Sequence, residues 1–198
     1  PIDSPVAALA TIRTLLFMSG MSTDVLSSID VSTAFLQAEE YGEHETPRFV
    51  KYKPHKHAHA QYWRLRGVLY GQRSASMRWH QTLATWLTDK QGQGFTQGQN
   101  DPCIFTHPDS GLRVVVVVDD ILVRGSMTAT QQFYRELKSK FDVKAPNFLT
   151  TNSPITYVGL DISLTRQGKD SFISVDQSSD LQRYLDKIDF HTCRNVDN

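Results

Sequence analysis

Cysteine is almost absent from this chain: Cys103 and Cys193 are the only two in 198 residues. They lie far apart and lack ligand-type spacing. That argues against a disulfide framework and predicts two reduced thiols in an intracellular protein. No apolar run approaches the ~20 residues needed to span a bilayer, so no membrane partner is expected. The opening Pro1-Ile2-Asp3-Ser4-Pro5 has neither the basic head nor the apolar stretch of a secretory signal. It also has no initiating methionine, so the sequence reads as a piece of something longer. An excess of charge is missing too, since 21 basic residues balance 21 acidic ones. Domains that bind nucleic acid are usually basic, and the sum alone points mildly away from that class. There is no internal repeat and no low-complexity segment.

The most informative lack is local. From Thr46 to Thr88 there is no Asp or Glu, while Arg48, Lys51, Lys53, Lys56, Arg64, Arg66, Arg73 and Arg78 all fall there. Acids crowd just before it, at Asp24, Asp30, Glu39, Glu40, Glu43 and Glu45. Such a split fits a basic track beside an acidic site, or simply a solvated face.

What is present reads as alternating helices and hairpins. Helical spacing of Ala8, Ile12, Leu15 and Leu16 predicts an amphipathic helix over Val6 to Met18. Val25 to Ile29 reads as a strand running into Asp30, and a second helix is expected from Ser32 or Thr33. Residues 41–60, broken by Pro47 and Pro54, read as irregular. They end in His55, His57 and His59, a run that suits an exposed loop better than a metal site, because no carboxylate or cysteine completes it. Tyr62 to Tyr70 reads as a strand ending at Gly71. Trp79, Leu83, Trp86 and Leu87 form one stripe of a helix over Ser76 to Gln91, and tryptophans so placed are read as core. Ile104-Phe105 and Val114 to Val118 read as paired strands around Asp109-Ser110-Gly111. Thr128 to Phe141 reads as a helix, Tyr157 to Leu164 and Phe172 to Val175 as a hairpin turning at Gly168, and Gln177 to Ile188 as a last helix. The fold class expected is α+β: an antiparallel sheet with helices packed on one face.

One segment carries chemistry. Val114 to Val118 supplies five consecutive β-branched residues, the mark of a strand buried on both faces. Asp119 and Asp120 interrupt it, and Ile121-Leu122-Val123 resumes. Burying one unpaired carboxylate costs several kcal/mol, and two adjacent ones cost more. A tight turn would lift the pair to a hairpin end, where a divalent cation offsets their repulsion. Magnesium suits such a site, because it prefers hard oxygen ligands and keeps water and phosphate in its shell. Two-metal phosphoryl transfer needs carboxylates bridging ions ~4 Å apart. Asp30, at the end of another apolar strand, is the third candidate ligand. The plainer reading is a polar hairpin turn, for which Asp is well suited.

Taken in order, several blocks resemble the reverse transcriptase of copia-type long-terminal-repeat retrotransposons. Ser4-Pro5-Val6-Ala7 with Thr11-Ile12-Arg13 is similar to the family's "SPVxxxxTIR". Asp30-Val31-Ser32-Thr33-Ala34-Phe35-Leu36 is similar to "DVKTAFL", and the stretch from Leu69 to Trp79 to "LYGLKQAPRxW". Asp101-Pro102-Cys103-Ile104-Phe105 resembles "DPCLF", Val117-Val118-Asp119-Asp120-Ile121-Leu122 resembles "YVDDILI", and Tyr157-Val158-Gly159-Leu160-Asp161-Ile162 resembles "FLGIEI". The order and spacing are those of the family across nearly the whole chain.

The resemblance implies a right-hand polymerase palm with partial fingers over residues 1–176. Residues 177–198 would form a connection toward a missing thumb. It implies an RNA-directed DNA polymerase that transfers nucleotides from dNTPs to a primer 3′-hydroxyl on an RNA or DNA template. Asp30, Asp119 and Asp120 would form the catalytic triad and, with the Val31 carbonyl, hold two Mg²⁺ ions, Mn²⁺ being the alternative. Thr33 and Ala34 amides would face the triphosphate, and Phe35 would be the steric gate against a ribose 2′-hydroxyl. Tyr70, Gly71 and Arg73 would lie near the nascent pair, and Tyr157, Val158 and Gly159 would grip the primer end. The remaining polyprotein, with its fingers, thumb and RNase H, would be a partner. The expected location is cytoplasmic, in virus-like particles, with access to the nucleus. Three departures stand out: Val117 replaces the family's tyrosine, Ser76 replaces its proline, and the upstream fingers strands are missing. They motivate the alternative of a degenerate or domesticated copy, a non-catalytic nucleic-acid-binding or structural domain. A magnesium-dependent phosphatase or nuclease would also use an Asp pair, but no parallel-sheet pattern supports one.

Overall fold

The computed structural model describes residues 4–168 and 170–187. The elements run α1 (Leu9–Gly20), β1 (Val25–Asp30), β2 (Phe49–Tyr52), β3 (Gln61–Arg64), α2 (Ala75–Thr88), β4 (Thr96–Gln97), β5 (Ile104–Thr106), β6 (Arg113–Val117) and β7 (Asp120–Gly125). Then come α3 (Met127–Lys140), β8 (Asn147–Phe148), β9 (Ile155–Tyr157), β10 (Leu160–Gln167), β11 (Asp170–Asp176) and α4 (Ser178–Lys187). Every recorded strand pair is antiparallel. The main sheet is ordered β4-β5-β6-β7-β1-β8, beside a three-stranded sheet β11-β10-β9 and a separate β2–β3 hairpin. The α+β reading holds.

The valine run explains why β6 and β7 lie deep in the sheet. Side chains alternate along a strand, so a strand apolar at every position can bury both faces. Val114 and Val116 pack with Ile121 and Val123 against Trp79, Leu83, Leu87, Phe133 and Leu137 of α2 and α3. Val115, Val117 and Leu122 pack on the other side with Ile12, Leu15 and Leu16 of α1 and with Tyr157 and Ile162. Helices therefore cover both faces, which corrects the expectation of one. A sheet buried on both sides requires it, and α1 together with the three-stranded sheet supplies the second layer.

Other boundaries shift for local reasons. The helix expected from Ser32 or Thr33 is a single 3-10 turn, Ala34–Gln37, after Thr33 in a left-handed conformation (φ 47°). The Gln37 side chain ends it, donating to Ser32 O and Asp142 O and accepting from Asp142 N. Within the region read as irregular, Phe49–Tyr52 pairs with Gln61–Arg64, so the strand expected over Tyr62 to Tyr70 is shorter and starts earlier. The strand expected over Tyr157 to Leu164 is broken by a two-residue turn at Val158 (φ 50°) and Gly159 (φ 74°). Two successive positive φ angles match the twist of a tight hairpin, so Tyr157 closes β9 and Leu160 opens β10. The turn at Gly168 is where it was expected. The last helix is described to Lys187, and Ile188, Cys193 and the rest of the expected connection lie outside the described residues. Cys103 is a buried free thiol whose pKa burial pushes up to about 12.

Asp101 ties the first helix to the sheet. It is buried and accepts from Ala8 N (2.9 Å), Cys103 N (2.9 Å) and the Thr11 hydroxyl, bonding the otherwise unpaired first turn of α1. Burial alone would raise its pKa, but the bonds from Thr11, Cys103 and Ala8 outweigh that and hold it below the usual carboxylate value. Asp101→Asn is expected to cost about 1–3 kcal/mol, the scale of hydrogen bonds to a charged group. A depressed pKa stabilises the fold above the unfolded value and loses that contribution as pH falls through the folded one. The mutant's deficit should accordingly shrink in acid. Urea unfolding at pH 7 and pH 3 checks both.

Candidate active site

Strand register decides where the acids go. Asp30 at the end of β1 is the direct partner of Asp120 at the start of β7. Val31 N donates to Asp119 O (2.9 Å), one residue beyond on each strand, so Asp30 and Asp120 form a non-hydrogen-bonded pair. That is the closer of the two antiparallel spacings, with Cα atoms ~4.5 Å apart. Their parity along the strands matches Leu26 and Leu122, so both carboxylates share the face occupied by α1 and the three-stranded sheet. Val117 completes the row as the partner of Asp120 across β6–β7. Asp119 sits beside them in the two-residue loop Val118–Asp119.

That loop is strained. Val118 has φ 54°, a conformation a β-branched residue rarely adopts. Trp79 braces it from α2: its indole N–H donates to Val118 O at 2.7 Å, while its ring is fully buried against Phe141. Trp79 is core, as its stripe predicted, and it also positions the doublet.

Lys144 is the residue that sequence reasoning missed. The chain after α3 runs antiparallel beside Asp30: Val143 bridges Val31, Lys144 N donates to Asp30 O (2.9 Å), and Ser32 N donates to Asp142 O (3.0 Å). This puts the Lys144 side chain next in the row, and its Nζ lies 3.0 Å from Asp30 Oδ1. The clue is only that a lysine follows a short apolar-alternating stretch.

Charge crowding shows in the proton affinities. Asp120 is pushed above the usual carboxylate range, first by burial and then by the Asp119 charge. The Val158 amide pulls it back, Asp30 pushes it up, and Lys144 lowers it. Lys144 is raised by its hydrogen bond to Asp30, then by the charge of Asp30, and further by Asp119 and Asp120. The Val158–Gly159 turn thus approaches the same cluster, with Tyr157 buried beneath it and donating to Val115 O (3.3 Å).

The remaining expected residues divide into two groups. Phe35 meets Tyr70, ring centroids 4.9 Å apart, with Tyr70 mostly exposed. Thr33 is exposed and Ala34 is buried at the first position of the 3-10 turn, whose leading amides have no partner within the turn. Gly71 and Arg73 lie exposed in the loop before α2, and among the described residues no recorded hydrogen bond or ion pair joins Arg73 to the acids. Part of the basic stretch has structural work: Arg78 pairs with Glu45, and Arg48 and Arg78 both sit over the Tyr41 ring. Among the described residues no three His, Cys, Asp or Glu side chains are gathered as a metal-ligand set. The donors themselves fit a hard divalent cation: carboxylate oxygens on adjacent strands, mutually repelling, with the Asp30 oxygen turned to an ammonium.

The antiparallel sheet thus carries an acidic doublet at a braced hairpin end, facing a third acid on the next strand. The family model described as "Reverse transcriptase (RNA-dependent DNA polymerase)" matches residues 1–196, and the chain belongs to that family, in its copia-type retrotransposon branch. The Transposon Ty1-NL2 Gag-Pol polyprotein of Saccharomyces cerevisiae is 24% identical over 169 residues, 84% of this chain and 9% of that one. The Truncated transposon Ty1-A Gag-Pol polyprotein of the same yeast is 26% identical over 166 residues, 82% of this chain and 13% of that one. The chain therefore spans a small part of the curated relatives it matches. A solved structure of telomerase from Candida albicans with a fragment of telomeric RNA overlaps 82% of this chain and 34% of that one, at 12% identity and TM-score 0.43.

The raised Asp120 pKa has a testable sign. A carboxyl that binds its proton more tightly when folded loses stability as pH rises from the unfolded value of ~4 through its folded one. In chelator, Asp120→Asn should melt higher than the wild type at pH 7. The gain should vanish below pH ~4, where the wild-type carboxyl is protonated. Calorimetry across that range checks it, and a mutant less stable than wild type at pH 7 contradicts the repulsion.

Proposed function

We propose that this chain is the catalytic palm, with part of the fingers, of an RNA-directed DNA polymerase. The observation that carries the reading is the direct pairing of Asp30 with Asp120 across two central strands, with Asp119 in the adjoining turn. Carboxylates so opposed repel, and a fold that keeps them opposed has a use for a cation there. Asp30, Asp119 and Asp120, with the Val31 carbonyl, would hold two Mg²⁺ or Mn²⁺ ions. When bound, such ions activate the primer 3′-hydroxyl and neutralise charge on the transferring phosphate.

The chain's own groups do the positioning. Leading amides of the 3-10 turn, at Thr33 and Ala34, would receive the triphosphate oxygens, as orphan N–H groups do for anions. Phe35 would lie under the sugar, backed by the Tyr70 ring, with Gly71 and Arg73 bordering the nascent pair. The Tyr157–Gly159 turn, which reaches Asp120 through the Val158 amide, would hold the primer end. Partners are then a primed RNA or DNA template, dNTPs, and the fingers, thumb and RNase H of a polyprotein. The setting would be cytoplasmic virus-like particles with access to the nucleus. No helix among the described residues is long and apolar enough to cross a membrane.

A second reading, a non-catalytic copy that binds nucleic acid or serves structurally, draws on Val117, the residue in the acidic row where the family has tyrosine. Primer extension on an RNA template separates the two. Magnesium-dependent incorporation is expected of the wild-type chain within its polyprotein, with Asp119→Asn there at least a hundredfold slower yet equally stable in chelator. Equal rates for mutant and wild type, or no incorporation by the wild type within its polyprotein, would overturn the polymerase reading.

Sugar selection gives a further check. Phe35→Ala and Phe35→Val should raise ribonucleotide use relative to deoxyribonucleotide by roughly ten- to hundredfold, the range pocket shape commands. If Phe35 is only a packing residue, Phe35→Ala costs ~3 kcal/mol or more with selectivity unchanged. Melting and the nucleotide-use ratio, measured on the same samples, decide between them.

A further inference from the structure

The acidic row carries its own cation, and the geometry says how that cation is held. Lys144 reaches Asp30 from a backbone fixed on three sides. Its N–H donates to Asp30 O (2.9 Å), Val143 bridges Val31, and the Gln37 amide clamps Asp142 by both its N–H and its C=O. The side chain itself is different: it is 66% exposed, and its recorded bond is the 3.0 Å pair with Asp30 Oδ1. A rigid base with a solvated, flexible stem can leave the carboxylate for water without disturbing the fold.

We propose that Lys144 is a resident counter-cation of the acidic row, and that its ammonium and a divalent metal ion occupy Asp30 in turn. The proposal rests on the metal-site reading of Asp30, Asp119 and Asp120. One ammonium against three carboxylates leaves two negative charges uncompensated, so the row still attracts a divalent ion. A monovalent ion has too little charge to displace a lysine already hydrogen-bonded. The lysine therefore keeps the opposed acids together in the metal-free chain, and makes loading an exchange of cations.

The exchange is read without catalysis, by Mn²⁺ binding to the full chain, followed by electron paramagnetic resonance of the free ion. Lys144→Gln removes the competitor and should tighten Mn²⁺ binding at least about fivefold, the scale of one unit charge ~4 Å from another in bulk water. Lys144→Arg should bind like wild type. Lys140→Gln, an exposed lysine at the end of α3, should do so too, which separates contact from general charge. In ammonium-detected NMR the metal-free Lys144 Nζ signal should differ from those of free lysines and move to their position when Mg²⁺ is added. Equal Mn²⁺ affinities for wild type and Lys144→Gln, or an Nζ signal unmoved by Mg²⁺ at saturation, overturn the exchange and leave the metal site standing. No Mn²⁺ binding by any variant overturns both.

Discussion

Two like charges set directly opposite each other, Asp30 on β1 and Asp120 on β7, are the constraint around which the rest of this fold is arranged. A non-hydrogen-bonded antiparallel pair brings side chains as close as a sheet allows, and opposed carboxylates there are destabilising. Their neighbours read as compensation. Ladder bonds on both sides of β1 fix the register that opposes the acids: Val31 N donates to Asp119 O on one side, and Lys144 N donates to Asp30 O on the other. The strained Val118 loop is held by the Trp79 indole, and an ammonium meets Asp30 from the chain after α3. The same crowding that costs stability is the ground on which a divalent cation is proposed there.

Support for the row comes from elements distant in sequence. α2 supplies Trp79, the stretch 141–144 supplies Lys144, and the β9–β10 turn brings Val158 against Asp120. The α1 end of the fold is fastened separately. Asp101 bonds the first turn of α1, and buried Arg124 on β7 pairs with Asp24 (2.8 Å) and donates to Met18 O and Ser22. Both ends of α1 are thereby tied to the sheet that carries the acids. Phe35 and Tyr70, which meet ring to ring, come from segments on either side of the β2–β3 hairpin.

The acids were legible because each ends an apolar run, and a carboxylate interrupting buried valines has few explanations. The helices of Trp79 and Phe133 were legible from 3.6-residue spacing, and the Gly168 turn from its glycine. Lys144 was not, because its meaning depends on pairing between residues more than a hundred positions apart. The Trp79 bond to Val118 was hidden for a different reason: a tryptophan in an apolar stripe already has a sufficient reason to be there. The turn at Val158–Gly159 was read through as strand, since valine at positive φ runs against its own preference. The 3-10 turn after Thr33 was taken for a helix, because the Gln37 contacts that end it reach across to Asp142. The run Val114 to Val117 says that both faces are buried but not by what, so it did not tell that α1 covers the face opposite α2 and α3.

The central claim is that the opposed carboxylates of β1 and β7, with Asp119, exist to hold divalent ions. Anomalous diffraction at the manganese edge, from crystals of the chain grown with Mn²⁺, tests it most directly. The account predicts anomalous density between Asp30 and Asp120, with Asp119 oxygens in its coordination shell. Manganese bound only elsewhere on the chain, with Asp30 and Asp120 free of metal at saturating Mn²⁺, would contradict it.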